Sequence, residues 1–181
     1  MRANQKPNFT NRPPHIVREN GYYFITSRTV ESQWFLRPDK YKSILLDVIH
    51  EKTTKFNYPL IAYAILNHHY HLIIDAKDAK NLSKFMSELN GASSRKLNDA
   101  DGVIGRKVWW NYFETFLANE EQFFTHLNYL HQNPIKHSLS KNFDYKFSSY
   151  GAWVKKKGKE YLDDSFRKYP IVDFKLVNDI F

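Results

Sequence analysis

A chain of 181 residues, 42% hydrophobic and 17% aromatic, is long enough for one domain with its own core and short appendages. The absence of cysteine excludes a disulfide framework and a thiolate metal site, while a formal charge of +8 points to a polyanionic partner, usually nucleic acid, or to a basic but merely solvated surface. No apolar run is long enough to span a membrane and none follows the basic N-terminus as in a secretory signal, so a soluble, cytoplasmic protein without a membrane partner is expected.

Residues 1–18 are polar and basic and carry Pro7, Pro13 and Pro14; they read as an extended N-terminal arm. Gly21–Val30 is the first predicted strand, with Tyr22, Phe24 and Thr26 on one face and Tyr23, Ile25 and Ser27 on the other. Arg28 stands at its end, where a guanidinium reaches a phosphate or is simply solvated. Pro38–Phe56 reads as a helix, because Tyr41, Ile44, Leu45, Val48 and Ile49 recur at helical spacing behind a first-turn proline. Tyr58–Leu66 and His69–Asp75 are the second and third strands, joined by a tight turn at Asn67-His68. On the third strand His69 and His71 share a face, Tyr70 points into the packing behind, and His68 shares the face of Tyr70. Two imidazoles side by side are half of a divalent-metal site, or two ordinary hydrogen-bonded histidines.

Lys80–Leu97 is a second helix, with Leu82, Phe85, Met86 and Leu89 inward and Ser93, Ser94, Arg95 and Lys96 at its polar end. A loop is expected over Asn98–Gly105. Lys107–Leu117 is an aromatic fourth strand, whose Arg106 and Lys107 set charge beside Trp109, Trp110, Tyr112 and Phe113. Such a stretch grips single-stranded bases and phosphates, or packs as core and rim. Asn119–His131 is a third helix: Asn119 caps it, Glu120 and Glu121 suit its positive end, and Phe123, Leu127 and Leu130 form the buried stripe. His126, Tyr129 and Asn133 fall on another face, and Pro134 should end or kink the helix at about Asn133. Beyond it, Phe147–Trp153 and the run Lys155–Lys159 read as a short helix and a charged appendage. The expected organisation is an arm at 1–18, a main domain at 19–151 and a basic tail at 152–181. The β-α-β-β-α-β order predicts an α/β (α+β) fold of the ferredoxin-like kind, an antiparallel sheet with helices packed on it and the third helix added.

Tyr129 and Asn133 are one helical turn apart and so are neighbours. If their helix meets the strand of His69 and His71, Asn133 offers an amide oxygen as a third metal ligand and Tyr129 a phenol able to attack phosphate. A phenol titrates near pH 10, so it has to lose its proton and the phosphate has to be polarised.

Read together, these motifs resemble the single-tyrosine HUH transposases, most of all the REP-associated tyrosine transposases. The resemblance rests on LNHHYHLII from Leu66, VWWNYFETFLANEEQF from Val108, YLHQNPIKHSL from Tyr129 and DYKFSSY from Asp144, spanning roughly Tyr22 to Tyr150. Where the family has proline or serine and then asparagine before its first histidine, this chain has Asn67 and His68. The resemblance implies metal ligation by His69, His71 and Asn133, and Tyr129 as nucleophile. The implied activity is that of a single-strand DNA endonuclease and strand transferase making a 5′-phosphotyrosine on hairpin-type DNA. The implied cofactor is a divalent metal, Mg²⁺ or Mn²⁺; the asparagine oxygen suits either and the histidines favour Mn²⁺. Arg28, Arg95, Lys96, Arg106, Lys107 and Lys136 are the expected DNA contacts. The alternatives are a DNA-binding protein of this fold without turnover, a phosphodiesterase that uses water, and an RNA-binding module. Monomer and homodimer both stay open.

Overall fold

A computed structural model describes residues 20–171 of the chain, so the arm at 1–18 and the end of the tail lie outside the described residues. Four stretches rich in aromatic and β-branched residues form one sheet: Gly21–Thr29 (β1), Leu60–Ile65 (β2), His69–Ala76 (β3) and Trp109–Phe116 (β4). The strand order is β2-β3-β1-β4 and every neighbouring pair is antiparallel. Asp39–Lys55 (α1) joins β1 to β2 and Leu82–Asp101 (α2) joins β3 to β4, which is the ferredoxin-like arrangement. Glu120–Lys136 (α3), Tyr150–Lys157 (α4) and Lys159–Lys168 (α5) follow. Among the described residues no helix is long and apolar enough to cross a membrane.

The strand period sorts side chains between two cores. Tyr23, Ile25, Tyr70, Leu72 and Ile74 face α1 and α2 and meet Leu45, Val48, Ile49, Phe85, Met86 and Leu89. Phe24, Ala62, Ala64 and Ile73 face α3 and meet Leu127, Tyr129 and Leu130. The two alanines of β2 let α3 approach closely. Behind β3 the buried Tyr70 hydroxyl donates to Asn90 Oδ1 at 2.8 Å, so the polar tip of a large ring is satisfied where water is excluded. The α3 end nearest the sheet is fixed by reciprocal capping: Asn119 Oδ1 accepts from the Gln122 N–H, and Gln122 Oε1 accepts from the Ala118 N–H, both at 2.9 Å.

Two boundaries differ from expectation. α2 continues past Asn98 to Asp101, because Asn98 is buried and pairs twice with Arg106, donating to its carbonyl and accepting from its Nε. Gly102, at φ +65°, then ends the helix in a left-handed conformation. α3 runs through Pro134 to Lys136. Proline there forfeits the bond that an N–H would make to the Leu130 carbonyl, yet the helix continues and the His137 N–H reaches the Asn133 carbonyl at 3.0 Å. The described part of the 152–181 segment is packed on α3: Asn128 donates to the carbonyls of Ser165 and Tyr169, both at 3.0 Å, and Phe124 stacks on Tyr169.

The Phe147–Trp153 segment lies along the outer edge of β2. The Ile65 N–H donates to the Phe147 carbonyl and the Ser149 N–H to the Tyr63 carbonyl, both at 2.9 Å. The Tyr63 N–H donates to Ser149 Oγ at 3.0 Å, and the Trp153 indole donates to the Ile61 carbonyl at 2.9 Å. An edge that would otherwise offer bare backbone groups is thereby sealed. Replacing Ser149 by alanine removes the acceptor of the Tyr63 N–H. Ser149→Ala is expected to lower unfolding free energy by about 1–3 kcal/mol, read as a lower urea midpoint at unchanged slope; an unchanged midpoint would contradict this account of the edge.

Candidate active site

The hairpin between β2 and β3 closes with the Leu66 N–H donating to the His69 carbonyl at 2.8 Å, so β3 begins at His69 and its alternation is set from there. His69 and His71 project together toward α3, with ring centroids 4.9 Å apart. Phe24, on the neighbouring strand, stacks on His71 at 5.2 Å. Thr26 pairs with His71 in the β1–β3 register, and its Oγ lies 2.7 Å from His71 Nδ1. When Nδ1 carries the ring proton it donates to the threonine oxygen, and Nε2 keeps a lone pair directed into the site.

From the other side α3 contributes Asn133, whose Oδ1 is 3.2 Å from His69 Nε2. Tyr129, one turn earlier, sets its ring edge-on to His71 at 5.5 Å and to Phe24 at 6.1 Å. The Lys136 ammonium is 5.6 Å from the centre of the Tyr129 ring. Tyr129 is only 2% exposed, although the helical spacing had put it off the buried stripe. α3 is covered by the sheet on one side and by α5 on another, so it has more than one inward face.

Burial is the first cause that lowers the basicity of both histidines. It holds His69 well below the usual histidine range, with the charge of His71 adding to it. His71 is pushed down to about 3, by burial first and then by His137, while the Asn133 amide acts in the opposite direction. Both rings are therefore neutral at ordinary pH, the form that donates a lone pair to a metal. His71 Nε2 and Asn133 Nδ2 are buried with no hydrogen-bond partner. Orphaned polar atoms of that kind cost free energy unless something meets them. Two imidazole nitrogens and one amide oxygen, with His71 held from behind by Thr26, fit a divalent ion that retains open positions. Among the described residues no three histidine or carboxylate side chains are placed to hold a metal ion, so such a site depends on the amide.

The structure thus brings His69, His71, Tyr129 and Asn133 together. By strand alternation Arg28 falls on the same face, opposite His69 in register. The other expected DNA contacts are dispersed. Lys107 lies 4.5 Å from the Trp110 ring, at the start of β4. Lys96 pairs with Glu51 of α1 at 3.4 Å, Arg106 pairs with Asp101 at 2.6 Å, and Arg95 is exposed on α2, beyond the opposite face of the sheet. His68 does not share the Tyr70 face. Its ring meets His69 at 4.5 Å and His137 at 5.7 Å, because a turn residue is not bound by strand alternation. Three residues at the site went unnoticed in the sequence. Phe24 and Thr26 reach it through strand pairing, which no local pattern encodes. His137, 4.9 Å from His69, is one turn beyond Asn133 and was hidden by the break expected at Pro134.

No curated protein matches the chain. Among solved structures, a REP-associated tyrosine transposase bound to a REP hairpin superposes with a TM-score of 0.66 at 21% identity, covering 77% of this chain and 82% of that one; at that identity the likeness is one of fold. A candidate transposase from Deinococcus radiodurans R1, solved at 1.90 Å, gives 0.46 at 20% identity over 66% of this chain and 92% of that one. The family model described as transposase, IS200-like, matches residues 19–133, a span that takes in both histidines, Tyr129 and Asn133. With that match over more than half of its length, the chain belongs to the IS200-like transposase family.

Proposed function

We propose that the protein is a metal-dependent single-strand DNA endonuclease and strand transferase acting on hairpin-type DNA, with Tyr129 as nucleophile. The observation that carries the reading is the buried, unpartnered His71 Nε2, beside the Tyr129 ring that packs edge-on to His71. Family membership and the hairpin bound by the structural relative support a DNA substrate. A divalent ion held by His69, His71 and Asn133 would supply Lewis-acid polarisation of the scissile phosphate. The residues themselves do the rest. Thr26 holds the His71 ring through Nδ1. Tyr129 Oη bonds to phosphorus as the P–O3′ bond breaks, and the phenolic proton ends on the released 3′-hydroxyl. One phosphodiester replaces another, so no energy source is consumed. Because Tyr129 is 2% exposed, the attack entails moving its ring or the long Lys136 side chain outward. Arg28 lies opposite His69 and Lys136 beside Tyr129, while Lys107 lies against Trp110 at the start of β4; these are the cations assigned to the DNA near the centre. Lys96 and Arg106, already paired within the chain, and Arg95 meet DNA only at a distance from the scissile phosphate.

Tyr129→Phe is expected to abolish a covalent DNA adduct on a denaturing gel with hairpin DNA and Mn²⁺, while hairpin affinity stays within about twofold. Persistence of the adduct would eliminate Tyr129 as the nucleophile. A wild-type protein that binds the hairpin tightly yet never forms the adduct would instead be a DNA-binding protein without turnover. In DNA-free protein, Mn²⁺ should raise the thermal midpoint of the wild type and leave that of His71→Ala or Asn133→Ala unmoved; equal shifts in all three would remove these ligands from consideration. Hairpin affinity should also fall steeply with salt, with a log–log slope of about −2 to −4 for two to four phosphate contacts. A flat salt response would rule out binding through these cations.

A further inference from the structure

The core between the sheet and α2 holds a polar seam directly behind the histidine pair. Tyr70 stands between His69 and His71 on β3, and Ser27 is its partner across on β1. Both are fully buried, and strand alternation turns both toward α2. A single side chain meets the two of them there. Asn90 Oδ1 accepts from the Tyr70 hydroxyl at 2.8 Å, and Asn90 Nδ2 donates to Ser27 Oγ at 3.3 Å. One turn later on α2, Ser93 Oγ accepts from the Trp109 indole of β4 at 2.9 Å and donates to the Leu89 carbonyl at 2.8 Å. The Trp109 ring closes edge-on against Tyr70 at 5.1 Å. On the other face of the sheet, the same register sets Thr26 opposite His71 and Arg28 opposite His69. The two residues tied together by Asn90 are therefore flanked, strand by strand, by four residues of the candidate site.

Stability alone does not call for such a seam. Apolar groups of the same shape fill a buried polar site at nearly equal free energy, provided that every partner is replaced together. Hydrogen bonds add direction. Apolar burial is non-directional, whereas a hydroxyl held by an amide fixes the height and rotation of its ring. A metal centre needs that precision, because its ligand distances hold to within about 0.2 Å. We propose that Asn90 is a positioning residue for the candidate metal centre. By tying Tyr70 to Ser27 it fixes β3 against β1, and so sets the spacing of His69 and His71 and the approach of Thr26 to His71 Nδ1. The proposal rests on the reading of that centre as a metal site. It assigns part of the site's geometry to α2, across the sheet from the reacting groups.

The test removes the Asn90 link whole, so that none of its polar atoms is left without a partner. The full chain carrying Ser27→Ala, Tyr70→Phe and Asn90→Leu together should keep a urea midpoint close to that of the wild type. Its Mn²⁺ affinity, by titration calorimetry, should fall by about 10- to 100-fold, the usual loss when support behind a metal ligand is removed. If the triple variant fails to fold, Tyr70→Phe, which removes one oxygen and keeps the ring, should show a loss in the same direction. A second readout needs no metal. The His71 ring stacks on Phe24 at 5.2 Å, so its ring protons should give one sharp set of NMR signals in the wild type and broadened or doubled signals in the variant. Unchanged Mn²⁺ affinity with unchanged His71 signals overturns the proposal. A lower urea midpoint with unchanged Mn²⁺ affinity also overturns it, since the seam would then hold only the fold. A wild type that binds no Mn²⁺, with the His71 signals still disturbed in the variant, keeps the positioning role and removes the metal reading.

Discussion

The constraint on which the site depends is the two-residue period of β3 between two dissimilar surroundings. Tyr70 is pinned from behind through its hydroxyl to Asn90, with Leu72 and Ile74 in the same core. His69 and His71 are then obliged to face α3. A slip of one residue in the pairing would bury both imidazoles among leucines and phenylalanines and turn Tyr70 toward Tyr129. The hairpin bond between Leu66 and His69 and the pairing of Thr26 with His71 guard against that slip from both neighbouring strands.

A second constraint is electrostatic. Two histidines enclosed together cannot both be charged, and burial already favours their neutral forms. Each ring has an oxygen within hydrogen-bonding distance, Thr26 Oγ for His71 and Asn133 Oδ1 for His69. His71 Nε2 is the nitrogen left without a partner, so the lone pair that a cation would meet is held in place by groups that do not themselves compete for it.

Much of this was legible from residue order because it depends on short spacings. Period two placed His69 and His71 together, the four-residue step placed Tyr129 beside Asn133, and the alternation of helix and strand patterns implied the sheet. What stayed hidden arises between distant segments. Thr26 meets His71 only once β1 pairs with β3. Lys96 and Arg106 look like free cations until Glu51 and Asp101 are brought to them. The burial of Tyr129 comes from the sheet, where Phe24 and His71 of two different strands meet its ring. Pro134 misled because the packing of α3 carries the helix through one missing backbone bond, and the continued turn to Lys136 brings His137 to the site.

The sealed edge of β2 has a bearing on assembly. A sheet with two bare edges can take on neighbours without limit, as fibres do. Among the described residues this sheet has β4 as its one outer strand without a covering segment. Any growth by strand pairing ends after a single partner, because two such edges joined to each other leave none. Among the described residues, the Phe147–Trp153 segment thus leaves one edge of the sheet rather than two for strand addition.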